Sequence, residues 1–251
     1  TVRDIVFRRS NISSYVHNLE PVDIAFFSVY MWNREYTHAL AKAVKLKYPK
    51  CVIVYGGPEV PNPTPNSWLA DHPWIDSVVL NEGEHPFVDI LESVAEGNPV
   101  AQQYEGRRMT DLNVPSPYTT GVFDSIIEDN PHVQFNATIE TNRGCPFSCT
   151  FCDWGSLTYS KIQKFPLDKV MAELDWVAHN AIEFITIADA NFGVFYKRDM
   201  QITDRLIELQ QNTGYPTVVN ATWYKNSSEQ VLEIVKKFAK SGLSRGMTLS
   251  M

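Results

Sequence analysis

Val22-Asp-Ile-Ala-Phe-Phe-Ser-Val29 is an almost uninterrupted apolar run. Runs of that kind are what a parallel strand covered on both faces requires. The chain after it predicts a helix from Glu35 to Tyr48, with Leu40, Ala41, Val44 and Leu46 as apolar positions and Pro49 to close it. A second strand is predicted at Cys51–Tyr55 and ends at Gly56-Gly57-Pro58. A third, Ser77–Leu80, ends at Asn81-Glu82-Gly83-Glu84, and a helix follows from Pro86 to about Ala95. Strands and helices alternating in this way, with glycine at the strand ends, predict an α/β fold built on a doubly wound parallel sheet. Ligands of such sheets sit at the carboxyl ends of the strands. Here those ends are Ser28–Asn33, Gly56–Glu59 and Asn81–Glu84.

Alternation fades over residues 99–134, where Pro115, Pro117 and Pro131 stand among Gly, Gln, Asn and Asp. That composition predicts a linker between a first domain, residues 1–98, and a second, residues 135–251. The second domain reads as strand Phe135–Thr141, helix Leu167–His179, strand Glu183–Ala188, helix Arg198–Gln211, strand Thr217–Ala221, helix Ser228–Lys240 and a strand starting near Gly246. The chain begins without Met and stops on a strand, so a fragment truncated at both ends is expected.

With 44% hydrophobic and 20% charged residues, the chain can bury a core. A formal net charge of −7 argues against broad nucleic-acid binding. No apolar run reaches the roughly 18 residues that a membrane span needs, and no signal-peptide pattern opens the chain. Cys51 stands alone while the other three cysteines fall within eight residues. Secreted disulfide frameworks are spaced differently, so a reducing, cytoplasmic location is expected.

Those three occur as Cys145-Pro-Phe-Ser-Cys149-Thr-Phe-Cys152. Thiolates bind iron and zinc because sulfur is soft and gives up its proton to the metal. A closed structural zinc site requires a fourth ligand. His132 and His179 are available, but neither has knuckle-like spacing, and Cys51, flanked by Val52, Ile53 and Val54, reads as a small buried hydrophobe. A cluster held by three cysteines leaves one iron open. Arg143 beside the loop suits either a charge near such a cluster or a plain surface role.

Glu140-Thr-Asn-Arg-Gly-Cys145-Pro-Phe-Ser-Cys149-Thr-Phe-Cys152-Asp-Trp-Gly resembles the signature loop of the radical S-adenosylmethionine superfamily, and it follows the first predicted strand of the second domain. The resemblance implies a partial (β/α) barrel in which Cys145, Cys149 and Cys152 hold a 4Fe–4S cluster and the open iron binds S-adenosylmethionine. It also implies that Phe151 lies against the adenine and that Asp189 or Asn191 meets the amino group. Both stand in Ile185-Thr-Ile-Ala-Asp189-Ala-Asn191-Phe192-Gly193, at the carboxyl rim where barrel sites form. Ser250 is a further contact candidate. Turn chemistry alone would also account for Asn-Phe-Gly at a strand exit.

Three further segments, Phe27-Ser28-Val-Tyr30-Met-Trp32-Asn33, Val54-Tyr-Gly56-Gly57-Pro58-Glu59 and Glu82-Gly83-Glu84-His-Pro-Phe87, are similar to the Rossmann-like cobalamin-binding domain that precedes many such barrels. The Asp-x-His-x-x-Gly motif of domains with a histidine below cobalt is not found. The resemblance implies cobalamin against Ser28, Tyr30, Trp32, Asn33, Gly56, Gly57, Pro58, Glu82, Gly83 and Glu84. It further implies methyl transfer to an unactivated carbon of a small-molecule or peptide substrate, with electrons from a donor such as flavodoxin or ferredoxin. Competing readings are a non-methylating radical rearrangement, cyclisation or methylthiolation, and a non-enzymatic zinc or iron–sulfur module.

Overall fold

A computed structural model describes residues 2, 4–150, 152, 161–226 and 229–244. They form two compact units, Thr1–Met109 and Thr110–Met251. In the first, α1 (Ile12–Asn18) starts on Asn11, whose side chain accepts from Ser14 N at 2.9 Å and so satisfies a free helix-end donor. Then come β1 (Ile24–Ser28), α2 (Arg34–Lys47), β2 (Val52–Gly56), α3 (Asn66–Asp71), β3 (Ser77–Leu80), α4 (Glu84–Ala95) and β4 (Gln103–Glu105).

The four strands are parallel and lie in the order β1-β2-β3-β4. Side chains alternate between the faces of a sheet. Ile53, Tyr55, Val78 and Leu80 therefore meet Val16 of α1 and Leu40, Ala41 and Val44 of α2, while Val54 and Val79 meet Ile90 of α4. Both faces are covered, as an α/β sheet requires. The described strands nevertheless follow chain order, without the reversal that makes a crevice in a doubly wound sheet.

Two local expectations change. Leu46 is 84% exposed, because it falls about 240° around the helix from Leu40 at 3.6 residues per turn. Within the expected linker, Gln103–Glu105 pairs with β3 as the edge of the first sheet, and residues from Thr110 onward belong to the second unit. There Tyr118 of Pro115-Ser-Pro-Tyr118 donates its hydroxyl to Thr138 O at 2.7 Å and sets its ring edge-on to Phe123 and tilted against Trp176.

The second unit contains α5 (Asp124–Glu128), β5 (Asn136–Ile139), β6 (Asn142–Arg143), β7 (Gln163–Lys164), α6 (Leu167–His179), β8 (Phe184–Phe192), α7 (Tyr196–Thr213), β9 (Val218–Trp223) and α8 (Glu229–Ser241). Strands β5, β8 and β9 form a parallel sheet in that order. Ile139, Ile185, Ile187 and Val219 are buried in the sheet, and Val170, Leu174, Ile202 and Leu206 in the helices. Each such side chain contributes about 1.5–3 kcal/mol on leaving water. At the end of β8, Gly193 has φ +98°, and a Cβ there would come within 3.2 Å of Val231 of α8. A strand predicted to begin near Gly246 lies outside the described residues, as does Ser250.

Candidate functional site

The cysteine segment is held at its base by a short antiparallel pair. β6 and β7 pair Asn142 with Lys164 and Arg143 with Gln163, and Phe165 N donates to Thr141 O at 3.1 Å. Both feet of this loop are then bolted to the neighbouring elements. From α7, Arg198 donates Nη2 to Thr141 O at 3.1 Å and to Phe165 O at 2.8 Å. From β8, Asp189 accepts from Thr141 N at 2.7 Å, Asn142 N at 3.0 Å, Asn142 Nδ2 at 2.5 Å and the Thr141 hydroxyl. Sequence reasoning proposed Asp189 as a ligand of an ammonium group. The structure gives its two oxygens four donors from the loop, at 1% exposure.

Burial dominates the electrostatics of this support. It pushes the Asp189 carboxyl up to about 6, against the hydrogen bonds from Thr141 and Asn142 that pull it down. Asp199 is likewise pushed up to about 6 by burial, opposed by the N–H groups of Phe195 and Gly193, which it accepts at 3.0 and 2.9 Å. Arg198 is lowered by burial and stands 3.7 Å from Asp199. The charges of Asp199 and Asp189 oppose that lowering, so the half-buried guanidinium offsets part of the negative charge of the two buried carboxylates. Arg143, by contrast, pairs with Glu140 at 2.9 Å.

All four cysteines carry free thiols. Cys51 is 1% exposed, and burial pushes its thiol up to about 11, which fits the buried-hydrophobe reading. Cys145 is buried, whereas Cys149 and Cys152 are half-buried, and Cys152 N donates to Cys149 O at 3.1 Å. Among the described residues, no three His, Cys, Asp or Glu side chains already gather as a cage for one metal ion.

What surrounds the sulfurs is a set of donors. Asn191 Nδ2 donates to Cys145 Sγ at 3.2 Å, and Lys225 Nζ donates to Cys149 Sγ at 3.2 Å. The bond to Cys149 raises the Lys225 pKa; burial opposes it, and charge on Cys149, Cys145 and Cys152 adds to the rise. Asn191 is fully buried, yet its Oδ1 has no hydrogen-bond partner among the described residues, an arrangement that ordinarily costs free energy unless a ligand supplies a donor. N–H donors and a cation aimed at sulfur suit thiolates that carry an iron–sulfur group.

The sequence points to Asn191 but not to Lys225, Thr141, Asn142 or Arg198, which the structure places in contact with the cysteine loop or at its base. The signal for Lys225 was a basic residue just past an apolar strand, in Trp223-Tyr224-Lys225. Phe151, also singled out in the sequence, lies outside the described residues.

In the first unit, parallel register brings the three predicted strand ends to one edge, with Ser28 opposite Gly56. Asn33 shapes the first of these loops. Its Oδ1 accepts from Tyr30 N at 2.7 Å and its Nδ2 donates to Ser28 O at 2.9 Å. The Tyr30 and Trp32 rings stack at 4.6 Å, with Trp32 66% exposed. Gly57 has φ +100°, and a Cβ there would lie 2.7 Å from Val29 O, so glycine is already required by the chain itself. Pro58 is exposed beside it. Glu82 accepts from Met109 N at 2.8 Å, Gly83 precedes α4, and Glu84 is the first residue of that helix.

No protein-family model matches the sequence. Over 98% of its length the chain is 34% identical to "Cobalamin-dependent radical SAM methyltransferase TokK" of Streptomyces tokunonensis. It is 33% identical over the same share to "2-(S-pantetheinyl)-carbapenam-3-carboxylate methyltransferase" of Streptantibioticus cattleyicolor. It spans 38% of the length of each of these relatives. Among solved structures it is similar to the radical S-adenosylmethionine methyltransferase TsrM from Kitasatospora setae. There the TM-score is 0.61 at 14% identity, over 95% of this chain and 50% of that one. A cobalamin-dependent S-adenosylmethionine radical enzyme, OxsB, matches with a TM-score of 0.57 at 16% identity, over 92% of this chain and 36% of that one. At these identities the two structures speak to fold.

Proposed function

We propose that this chain is a member of the cobalamin-binding branch of the radical S-adenosylmethionine superfamily, and that it methylates an unactivated carbon of a small molecule using a 4Fe–4S cluster, S-adenosylmethionine and cobalamin. The observation that carries this reading is the pair of donors aimed at the thiols, Asn191 on Cys145 and Lys225 on Cys149. When bound, the cofactors supply an electron that opens the sulfonium C–S bond of S-adenosylmethionine and a methyl group carried on cobalt.

The chain's own residues do the holding. Cys145, Cys149 and Cys152 would hold the 4Fe–4S cluster through their thiolates, with no fourth cysteine in the loop. Asn191 turns its Nδ2 to Cys145 and offers its unpartnered Oδ1 to the cofactor's ammonium group. Asp189 fixes Thr141 and Asn142 instead, and so sets where the cysteine loop leaves the sheet. Phe151 is assigned to the adenine of the cofactor, and Ser250 to a contact with the bound cofactor, on their sequence positions.

The first unit, Thr1–Met109, acts as a Rossmann-like cobalamin-binding domain and the second, Thr110–Met251, as a partial barrel. The topology supports this division: each parallel sheet directs its strand ends to one edge. The first edge, Ser28–Asn33, Gly56–Pro58 and Glu82–Glu84, is the cobalamin shelf, and the flat Tyr30–Trp32 stack suits the side of a macrocycle. A relative named for a pantetheinyl carbapenam favours a small molecule over a peptide as substrate. A flavodoxin or ferredoxin in the cytoplasm supplies the electron. Among the described residues, no helix is long and apolar enough to cross a membrane.

The test is anaerobic reconstitution of the intact protein with iron, sulfide and hydroxocobalamin, followed by S-adenosylmethionine and dithionite. Chromatography should show 5′-deoxyadenosine from wild type and none from Cys149→Ala. A wild type that releases none, or a variant that releases as much, overturns the reading. A product heavier by one CH₂ unit separates methyl transfer from rearrangement or cyclisation.

A further inference from the structure

We propose that Lys225 is a positioning residue whose ammonium group anchors the Cys149 sulfur and raises the reduction potential of the cluster that the three cysteines carry. The proposal rests on the iron–sulfur reading above. Lys225 stands two residues past the end of β9, next to Tyr224, whose N donates to Phe192 O at 2.9 Å and ties the ends of β9 and β8 together. Its side chain then reaches the cysteine loop from the neighbouring strand. The Nζ lies 3.2 Å from Cys149 Sγ and 5.5 Å from the centre of the Phe147 ring, midway along the same loop. Phe147 is itself placed by Tyr224, with ring centroids 5.8 Å apart. The cation is thus held between an aromatic face and a thiol, and the charges acting on it are those of Cys149, Cys145 and Cys152.

The electrostatic consequence follows from charge alone. Taking up one electron adds one negative charge to a cluster already bound by three thiolates. A cation within hydrogen-bond distance of a ligand sulfur stabilises that reduced form more than the oxidised one. Cluster potentials respond to net charge and to hydrogen bonds on the sulfurs. Lysine suits the task because its ammonium is a compact point charge on a long stem.

The measurement is a redox titration of the reconstituted intact protein followed by electron paramagnetic resonance, comparing wild type, Lys225→Met and Lys225→Arg. Iron and sulfide content and the visible spectrum are recorded first. The expected result is a full cluster in all three, a midpoint potential shifted to more negative values in Lys225→Met, and one close to wild type in Lys225→Arg. A Lys225→Met chain that loses its cluster while Lys225→Arg keeps it also supports the anchoring role. Unchanged potential in a loaded Lys225→Met chain overturns this proposal and leaves the functional reading standing. Loss of the cluster in both variants overturns it too, because charge is then not what matters. A wild type that takes up no cluster overturns the functional reading and this proposal together.

Discussion

At the carboxyl edge of the first sheet, Met31 is 76% and Trp32 66% exposed, and the loops are shaped by short-range bonds such as those of Asn33. At the carboxyl edge of the second sheet, Thr141, Asn142, Asp189 and Asn191 are all buried, and their bonds span 46 to 48 residues of sequence. The first edge is an open shelf, the face we propose for cobalamin. The second is a buried polar frame, in which each group depends on another element for its partner. Buried polar groups without partners are costly, so the second edge couples stability to function, whereas the first can change its surface with little effect on folding.

That contrast can be broken in a graded way. Asp189→Ala should be the most damaging change, because it strands the N–H groups of Thr141 and Asn142 and the Asn142 amide. About 3 kcal/mol or more of unfolding free energy in urea is expected to go, with iron uptake falling alongside it. A loss under about 1 kcal/mol would show that the loop does not depend on the frame.

Asp199→Asn probes the same frame through pH. An unfolded aspartate titrates near 4, and the folded one is pushed up to about 6. The folded state therefore holds its proton more tightly, and wild-type stability falls as pH rises from about 4 to about 6. Relative to wild type, the asparagine variant should gain on the order of 3 kcal/mol across that window. A pH-independent difference between the two chains would contradict the buried-charge account.

On the first edge, Gly57→Ala must place a side chain at φ +100° and 2.7 Å from Val29 O. A cost of about 1–3 kcal/mol is expected. It should appear as weaker hydroxocobalamin binding with normal iron uptake; weakened iron uptake at intact cobalamin affinity would reverse the assignment of the two edges. Trp32→Ala should do least to folding, within about 0.5 kcal/mol by thermal denaturation. It should still lower hydroxocobalamin affinity several-fold in a spectroscopic titration, and an unchanged affinity would remove Trp32 from the shelf.

Legibility followed the same line. Predicted strands at Cys51–Tyr55 and Ser77–Leu80 stand at Val52–Gly56 and Ser77–Leu80, because continuous apolar runs declare themselves. The sequence predicts a strand ending at Ala188, whereas β8 continues to Phe192. Its last residues include Asp189 and Asn191, polar groups that look like a strand exit until their buried partners are known. The pair β6–β7 and the short strand β4 carry no periodicity at two or three residues each, so only pairing reveals them.

The sequence by itself determined which chemistry is available: three thiols at a spacing that one loop can wrap, and apolar strands whose ends collect polar residues. Those are properties of residue type and local order, and they survive without any knowledge of what lies across the fold. Tertiary structure decided how the groups are used. Lys225 stands 76 residues from Cys149 in the chain, and Arg198 stands 57 from Thr141. Hydrogen bonds and charges act over a few ångströms of space and are blind to sequence distance. The same rule turned Asp189 from a free carboxylate into the clasp of the loop.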